Sequence, residues 1–432
     1  MKIRSTLAVG IAAATALALT ACTGGGAATG GGGSAGGEIK GQVTFQTWSL
    51  KNDKFTPYFE NIVKAFEKEH PGATVKWIDQ PADGYEDKIL QQAESGELPD
   101  VVNLPPEFAQ ELAKAGQLVD VKKVSSIIGD YVDGGVAAYT YDGIKGTYAF
   151  PWYLGTELNY WNTDLLAKAG AAAPPKTFDE TLDVASALAK AGVQTLSDVP
   201  SPKSLQIDIS DGGGTYDFVK NGKFVFDTPA AEKIVERYAA LYKEGAISPE
   251  ALQNAGAANA NVNNFNKGTV AWTTAGPNYI DKNLAVNAPT LLPSVKVSAG
   301  FGQPPLFVQG VSVSAKAKNP AAALAFAEFV TNDANQIEFM KLAAGFFPGT
   351  KKANQDPSKF SGTAQNAQQT EATKLAAAQM DKARVPGAPG TGYVDSMENY
   401  AKQQIALAIK GDITAKQALT KSQDYANQNA AK

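Results

Sequence analysis

One histidine and one cysteine in 432 residues exclude more chemistry than any motif in the chain admits. A Ser-His-Asp triad or a histidine-bound zinc would have to run through His70, which sits in His70-Pro71-Gly72, a helix-ending turn that suits a capping or surface role. The single thiol, Cys22, has no partner for a disulfide, so the fold is expected to hold by packing alone. Basic charge is short as well. Thirty-nine Lys and Arg against 43 Asp and Glu give a formal net charge of −4, which excludes a basic nucleic-acid surface. No P-loop is present: Gly212-Gly213-Gly214 lacks the following Lys-Ser/Thr and reads as a turn. No internal repeat of about 20–50 residues is visible.

What is present begins with an address. Lys2 and Arg4 precede a short apolar run, Leu7 to Leu19, too short to span a bilayer comfortably. The run ends in Leu19-Thr20-Ala21-Cys22, which matches a bacterial lipobox, so residues 1–21 are expected to be a signal peptide and Cys22 the lipidated residue. Thr23 to Gly37 contain Gly, Ser, Thr and Ala only, too little to bury and order, so residues 22–40 read as the acylated cysteine and a flexible tether. The expected location is the extracytoplasmic face of the bacterial cell membrane, held by lipid only.

The length predicts two or three domains at about 100–200 residues each, and 44% hydrophobic with 19% charged residues suits a globular body. Gly41 to Trp48 alternates like a strand; Phe59, Ile62, Val63 and Phe66 follow at helical spacing; Thr74 to Ile78 is the next strand. The pattern repeats with a helix from Tyr85 to Glu94, a strand from Pro99 to Leu104, and a helix from Pro106 to Ala115 before Leu118-Val119-Asp120-Val121. Strands alternating with helices predict a mainly parallel α/β sheet with its ligand at the carboxyl ends of strands. Capping signals open later helices at Thr177-Phe178-Asp179-Glu180, Thr228-Pro229, Asn319-Pro320 and Thr414 to Gln417, and strands are expected at Thr269 to Thr273 and Gly310 to Ser314.

The stretch Asp142 to Asn162 joins a polar turn to two apolar strands, the first interrupted by Pro151. Proline removes a ladder donor, so Pro151 is expected to mark a crossing between two sheets, with Trp152 and Tyr153 beside it.

Several segments together resemble the bacterial extracellular solute-binding proteins of the maltose-binding type, the lipoprotein receptors of ABC importers for sugars. They are Phe45-Gln46-Thr47-Trp48, Leu98 to Val102, Leu112 to Val121, the stretch around Pro151, Pro174 to Glu180, Phe265 to Trp272, and Lys318 to Phe326. The resemblance implies an α/β, two-lobe periplasmic-binding-protein fold of class II type, its lobes joined by crossing hinge strands with the ligand cleft between them. The lobes would be 41–150 plus 310–354 and 156–305 plus 366–432. It also implies a carbohydrate ligand, delivery to the transmembrane subunits of an ABC permease, a monomer, no cofactor and no catalysis.

Sugar rings present C–H faces that stack on aromatic rings, and their hydroxyls need amide or carboxylate partners. By match to the family's positions, Trp48, Asn52 and Asp53 fall at the first binding loop, Glu107 at an acidic hydroxyl-binding position, and Trp152 and Tyr153 at the hinge. Tyr85 and Gln206 are further candidates. Trp272 matches a position usually filled by a buried apolar residue and is carried as a candidate contact too. Asn278 stands where many members have a stacking tryptophan, and Val311 replaces an aromatic found in some relatives. Trp77 and Trp161 read as core or lobe surface. Two other readings stay open: a glycosidase using a carboxylate pair from among Asp53, Glu107 and Glu157, and a binder of another polar solute in which a cation would lean on Asp53 and Glu107.

Overall fold

The computed structural model describes residues 37–430 apart from 142, 197, 254, 256–259, 363 and 388–391. The expected signal segment, Cys22 and most of the tether lie outside the described residues.

Eleven strands are described: β1 (Gly41–Trp48), β2 (Ala73–Gln80), β3 (Val101–Leu104), β4 (Phe150–Thr156), β5 (Leu158–Asn162), β6 (Val219–Lys220), β7 (Lys223–Phe224), β8 (Trp272–Ala275), β9 (Val295–Ser298), β10 (Leu306–Val313) and β11 (Phe347–Pro348). They form a six-stranded sheet of order β11-β4-β10-β3-β1-β2, a three-stranded sheet β8-β5-β9, and the β6-β7 pair. β1 runs parallel to β2 and β3, but β10 is antiparallel to both its neighbours and β11 to β4, so the first sheet is mixed rather than mainly parallel. The expected strand at Thr269 to Thr273 is shifted to β8, and Val121–Val124 is a short helix capped by Asp120.

Helix signals in the sequence have direct counterparts. Thr414 and Gln417 form a full reciprocal box, with both side chains bonded to each other's backbone N–H. At Thr177 the box is half made: its hydroxyl accepts from Glu180 N at 3.1 Å, while the Glu180 carboxylate turns instead to Lys176 N at 2.7 Å. His70 ends the helix Thr56–Glu69, its N–H bonded to Phe66 O. Gly212 ends the helix Pro202–Asp211 and Gly213 takes a φ of 73°, as a turn requires.

The stretch around Pro151 departs from expectation in an instructive way. Pro151 does not mark the crossing; it lies inside the six-stranded sheet opposite Gly310, and the register skips Trp152 before resuming at Tyr153 and Gln309. The skipped residue is a β-bulge on β4, where an absent N–H breaks no ladder bond. The chain changes sheets six residues later: β4 ends at Thr156, β5 begins at Leu158, and Glu157 alone joins them. Gly310 is held by a close approach, since a Cβ there would lie 2.6 Å from the ring of Tyr139, whose hydroxyl donates to Leu104 O at 2.7 Å.

Gln379, buried at the end of the helix Ala367–Gln379, ties the segments that leave both sheets. Its amide nitrogen donates to Thr156 Oγ1 and Glu157 O, each at 2.7 Å, and its oxygen accepts from Gly300 N at 2.9 Å, between β9 and β10.

Apolar packing forms two clusters. The larger joins the six-stranded sheet to one face of β5, taking in Phe45, Phe59, Trp152, Tyr160 and Phe326. The other gathers the opposite face of β5, at Trp161, with the helices Phe178–Lys190, Pro202–Asp211, Pro229–Glu244, Asp395–Lys410 and Ala415–Asn429. Within the first, Asp100 is a buried carboxylate that latches three segments. It accepts from Thr44 N at 2.8 Å, Thr44 Oγ1 at 2.7 Å and Lys318 N at 2.9 Å.

Candidate functional site

A cavity of about 150 Å³ lies beside the crossing residue Glu157. A dry cavity of that size holds about one six-membered ring. One wall comes from β5 and β8 through Asn159, Trp272 and Thr274, and another from the helices through Ser204, Asp208 and Tyr238. Asp198 and Phe301 complete the parts that matter chemically.

Alternation along the strands explains the aromatic wall. Trp161 and Trp272 are paired across β5 and β8, stack at 5.8 Å and 20°, and have Phe301 at 6.3 and 6.1 Å. Trp272 Nε1 donates to Asn159 Oδ1 at 2.9 Å, and Asn159 Nδ2 donates to Ala299 O at 2.7 Å, so the indole is fixed in place. Trp161 is sealed beneath it, its Nε1 bonded to Ser298 Oγ.

Three carboxylates face this cavity. Burial pushes Glu157 up, Asp198 adds to the rise, and a hydrogen bond with Thr274 works against it. Asp198 sits at the exposed rim of the cavity, and partial desolvation there raises it, opposed by the charge of Lys402 and the Val199 N–H. Asp208 is pushed well up by burial, then by Asp211, and no hydrogen bond or ion pair to its carboxylate is present among the described residues. A carboxylate raised in the folded state binds protons that the unfolded chain has already released, so its favourable share of stability is full at low pH and is lost as pH rises through the folded value. The empty protein should therefore gain melting temperature as the medium is acidified from neutral toward the ordinary carboxylate range. Asp208→Asn should flatten that rise in thermal melts taken across the window.

Of the residues expected to bind ligand, Trp272 lines this cavity, and so does Glu157, named as a candidate acid. The others lie elsewhere, and five are committed to other work. Trp152, expected as a platform, has no exposed surface: the bulge turns it into the core, stacked on Phe339 at 4.8 Å and flanked by Phe45 and Phe59. Tyr85 is 2% exposed, its hydroxyl donating to Asn103 O at 2.9 Å, and it backs Trp48 at 5.6 Å. Gln206 spends its amide on Gly387 N at 2.7 Å and Tyr216 O, and lines a separate small cavity with Arg384. Asn52 closes the turn before the helix Thr56–Glu69, its Oδ1 accepting from Lys54 N and Phe55 N.

Asn278 donates to Ala344 O at 3.3 Å, bridging the segment after β8 to the segment before β11. Gly345 there has a φ of 95°, and a Cβ would meet Asn278 at 2.5 Å. Trp48 is partly buried, with its Nε1 enclosed and without a partner among the described residues. Asp53 and Glu107 are exposed, and Tyr153 is partly buried, edge-on to Phe346 at 5.4 Å.

The sequence reading missed Asp198 and Asp208, which carry no local motif, and the exposed aromatics Phe307 and Phe346. A Cβ on Gly155 would touch both of these rings at 3.5–3.6 Å, so they flank β4 just before Glu157. The alternation of Phe307 with buried Leu306 and Val308 was the one available signal. Among the described residues no group of His, Cys, Asp or Glu could hold a metal ion, and no helix is long and apolar enough to cross a membrane.

Known proteins agree with this architecture. A provisionally named ABC transporter periplasmic-binding protein of Escherichia coli (strain K12), YcjN, is 27% identical over 301 residues, 66% of this chain and 67% of that protein. The maltooligosaccharide ABC transporter solute-binding lipoprotein of Streptococcus pneumoniae is 27% identical over 295 residues, 65% of this chain and 66% of that protein. The chain thus spans about two thirds of the length of these curated relatives. A crystal structure of a provisionally named oligosaccharide periplasmic-binding protein from Synechococcus sp. MITs9220 superposes with a TM-score of 0.74 at 26% identity, covering 90% of this chain and 98% of that one. The family model described as bacterial extracellular solute-binding protein matches residues 61–372, most of the chain, and the chain belongs to that family.

Proposed function

We propose that the chain is the substrate-binding lipoprotein of an ABC importer, which captures a mono- or oligosaccharide by lobe closure and hands it to the membrane permease. The carrying observation is the cavity at the sheet crossing, where an indole and a phenyl ring face amide and carboxylate groups in a space of one ring. A ligand seated there adjoins Glu157, the residue on which two bodies of 41–150 plus 310–354 and 156–305 plus 366–432 would rotate. The name of the Streptococcus relative, which specifies maltooligosaccharide, supports a carbohydrate. Lipid attachment at Cys22 would hold a monomer at the outer face of the cell membrane. Trp48, Tyr153, Asp53, Glu107 and the Phe307–Phe346 pair are assigned to the opposing side of the cleft.

Calorimetry against a panel of mono- and oligosaccharides tests this. Saturable binding of at least one sugar is expected, weakened about tenfold by Trp272→Leu, because a lost aromatic contact is worth roughly 0.5–1.5 kcal/mol. The reading fails when no sugar binds but a peptide or a metal ion does. Ligand recovered chemically intact after long incubation separates capture from hydrolysis by the carboxylates.

A further inference from the structure

We propose that the solute taken by this cavity is a cationic carbohydrate, an amino sugar or aminocyclitol whose protonated amine faces Glu157, Asp198 and Asp208 while its ring lies against Trp272 and Phe301. The inference rests on the sugar-capture reading and narrows it.

Elsewhere the chain satisfies its enclosed carboxylates. Asp100 accepts three hydrogen bonds; Asp79 accepts from Thr47 Oγ1, Leu50 N and Lys51 N; Asp120 accepts from Lys122 N and Thr147 N and pairs with Lys123. The three acids of the cavity, Glu157 and Asp208 half-buried and Asp198 exposed at its rim, are bonded more sparsely. Asp208 has no hydrogen bond among the described residues, Glu157 has the Thr274 hydroxyl for its side chain, and Asp198 has one backbone N–H.

Among the described residues no Lys, Arg or His lines the cavity, and Lys402 is the cation that acts on the three, through Asp198. Carboxylates set beside apolar rings without a counter-charge are held back from ionising, and a cavity wall that carries half-buried Glu157 and Asp208, with Asp198 at its exposed rim, suits a partner that brings the opposite sign and lets them ionise. A metal ion does not answer, since these acids are not grouped as metal ligands. A neutral sugar donates hydroxyls to carboxylates but leaves their charge uncompensated. An ammonium group supplies three donors and the charge together, and the faces of Trp272 and Phe301 attract the same cation.

The test is calorimetry on the full chain at neutral pH with glucosamine and its unacetylated dimer, set against glucose and cellobiose and against the N-acetylated forms. The amines are expected to bind about tenfold or more tighter than both counterparts, an advantage that shrinks as salt is added. Asp208→Asn should erase that advantage by weakening the amines about tenfold more than glucose and N-acetylglucosamine, and should raise the melting temperature of the empty protein at neutral pH by removing a carboxyl that burial disfavours from ionising. Should Asp208→Asn fold poorly, Asp198→Asn carries the same binding expectation. Neutral sugars binding as tightly as the amines, or Asp208→Asn weakening all three series alike, overturns the inference and leaves sugar capture standing. If none of the three series binds, the inference falls, while sugar capture stands or falls on the wider sugar panel.

Discussion

Trp152→Ala is expected to destabilise the protein by about 3–5 kcal/mol, the cost of deleting a large aromatic side chain from a closed core. The residue has no exposed surface and packs between Phe339, Phe45 and Phe59, three rings contributed by different segments. Those neighbours belong to separate elements that cannot all collapse into the void, which places the loss at the high end. Denaturant titration should show a lower midpoint with an unchanged slope, and the melting temperature should fall. Its indole Nε1 has no hydrogen-bond partner among the described residues, so Trp152→Phe should recover much of the loss. A substitution to Ala that left stability intact and abolished ligand binding would show that Trp152 faces the cleft after all.

Asp100→Ala should cost a similar amount, about 3–5 kcal/mol, by a different route. Hydrogen bonds to a charged group contribute roughly 1.5–3 kcal/mol, and donors left buried without an acceptor carry a further penalty. Thr44 N, Thr44 Oγ1 and Lys318 N all lose their acceptor, and with it β1, β3 and the segment after β10 lose a common tie. Asp100→Asn retains the shape and some accepting capacity, so it should fall between the wild type and Ala. Equal stability of all three proteins in urea titration would refute the latch.

Much of the fold was legible because local signals and burial agree. Phe59, Ile62 and Phe66 are three of the four buried residues of the helix Thr56–Glu69, and Thr414-Ala-Lys-Gln417 became the box it spelled. Pro151 misled because a proline tolerated by a crossing is equally tolerated beside a bulge, and nothing in one strand's sequence shows the register of its partner. The same bulge explains Trp152: its neighbours mark a strand, but only the pairing says which face it takes.

The site was less legible than the fold. Glu157 and Trp272 are close to segments with a recognisable pattern, whereas Asp198 stands two residues past the isolated bridge at Leu196 and Asp208 sits in a helix where one more acid looks like a solvated face. Gln379 joins residues 156, 157 and 300 from more than 70 positions away, a link that no spacing encodes. Asn278 is expected at the site by its match to a family position and Tyr85 and Gln206 as further candidates, yet each of these groups already has a backbone partner, which no sequence pattern discloses.

The one-residue crossing at Glu157 also bears on how the sequence can change over generations. Loops ordinarily accept insertions and deletions freely. Here adding or removing one residue would invert the alternation of β5, sending Tyr160 to the helical cluster and Trp161 to the other. It would also shift Thr156 and Glu157 relative to the single amide of Gln379 that holds both. Descendants of this chain are therefore free to exchange the side chain at position 157, and with it ligand preference, while the length of the crossing stays fixed.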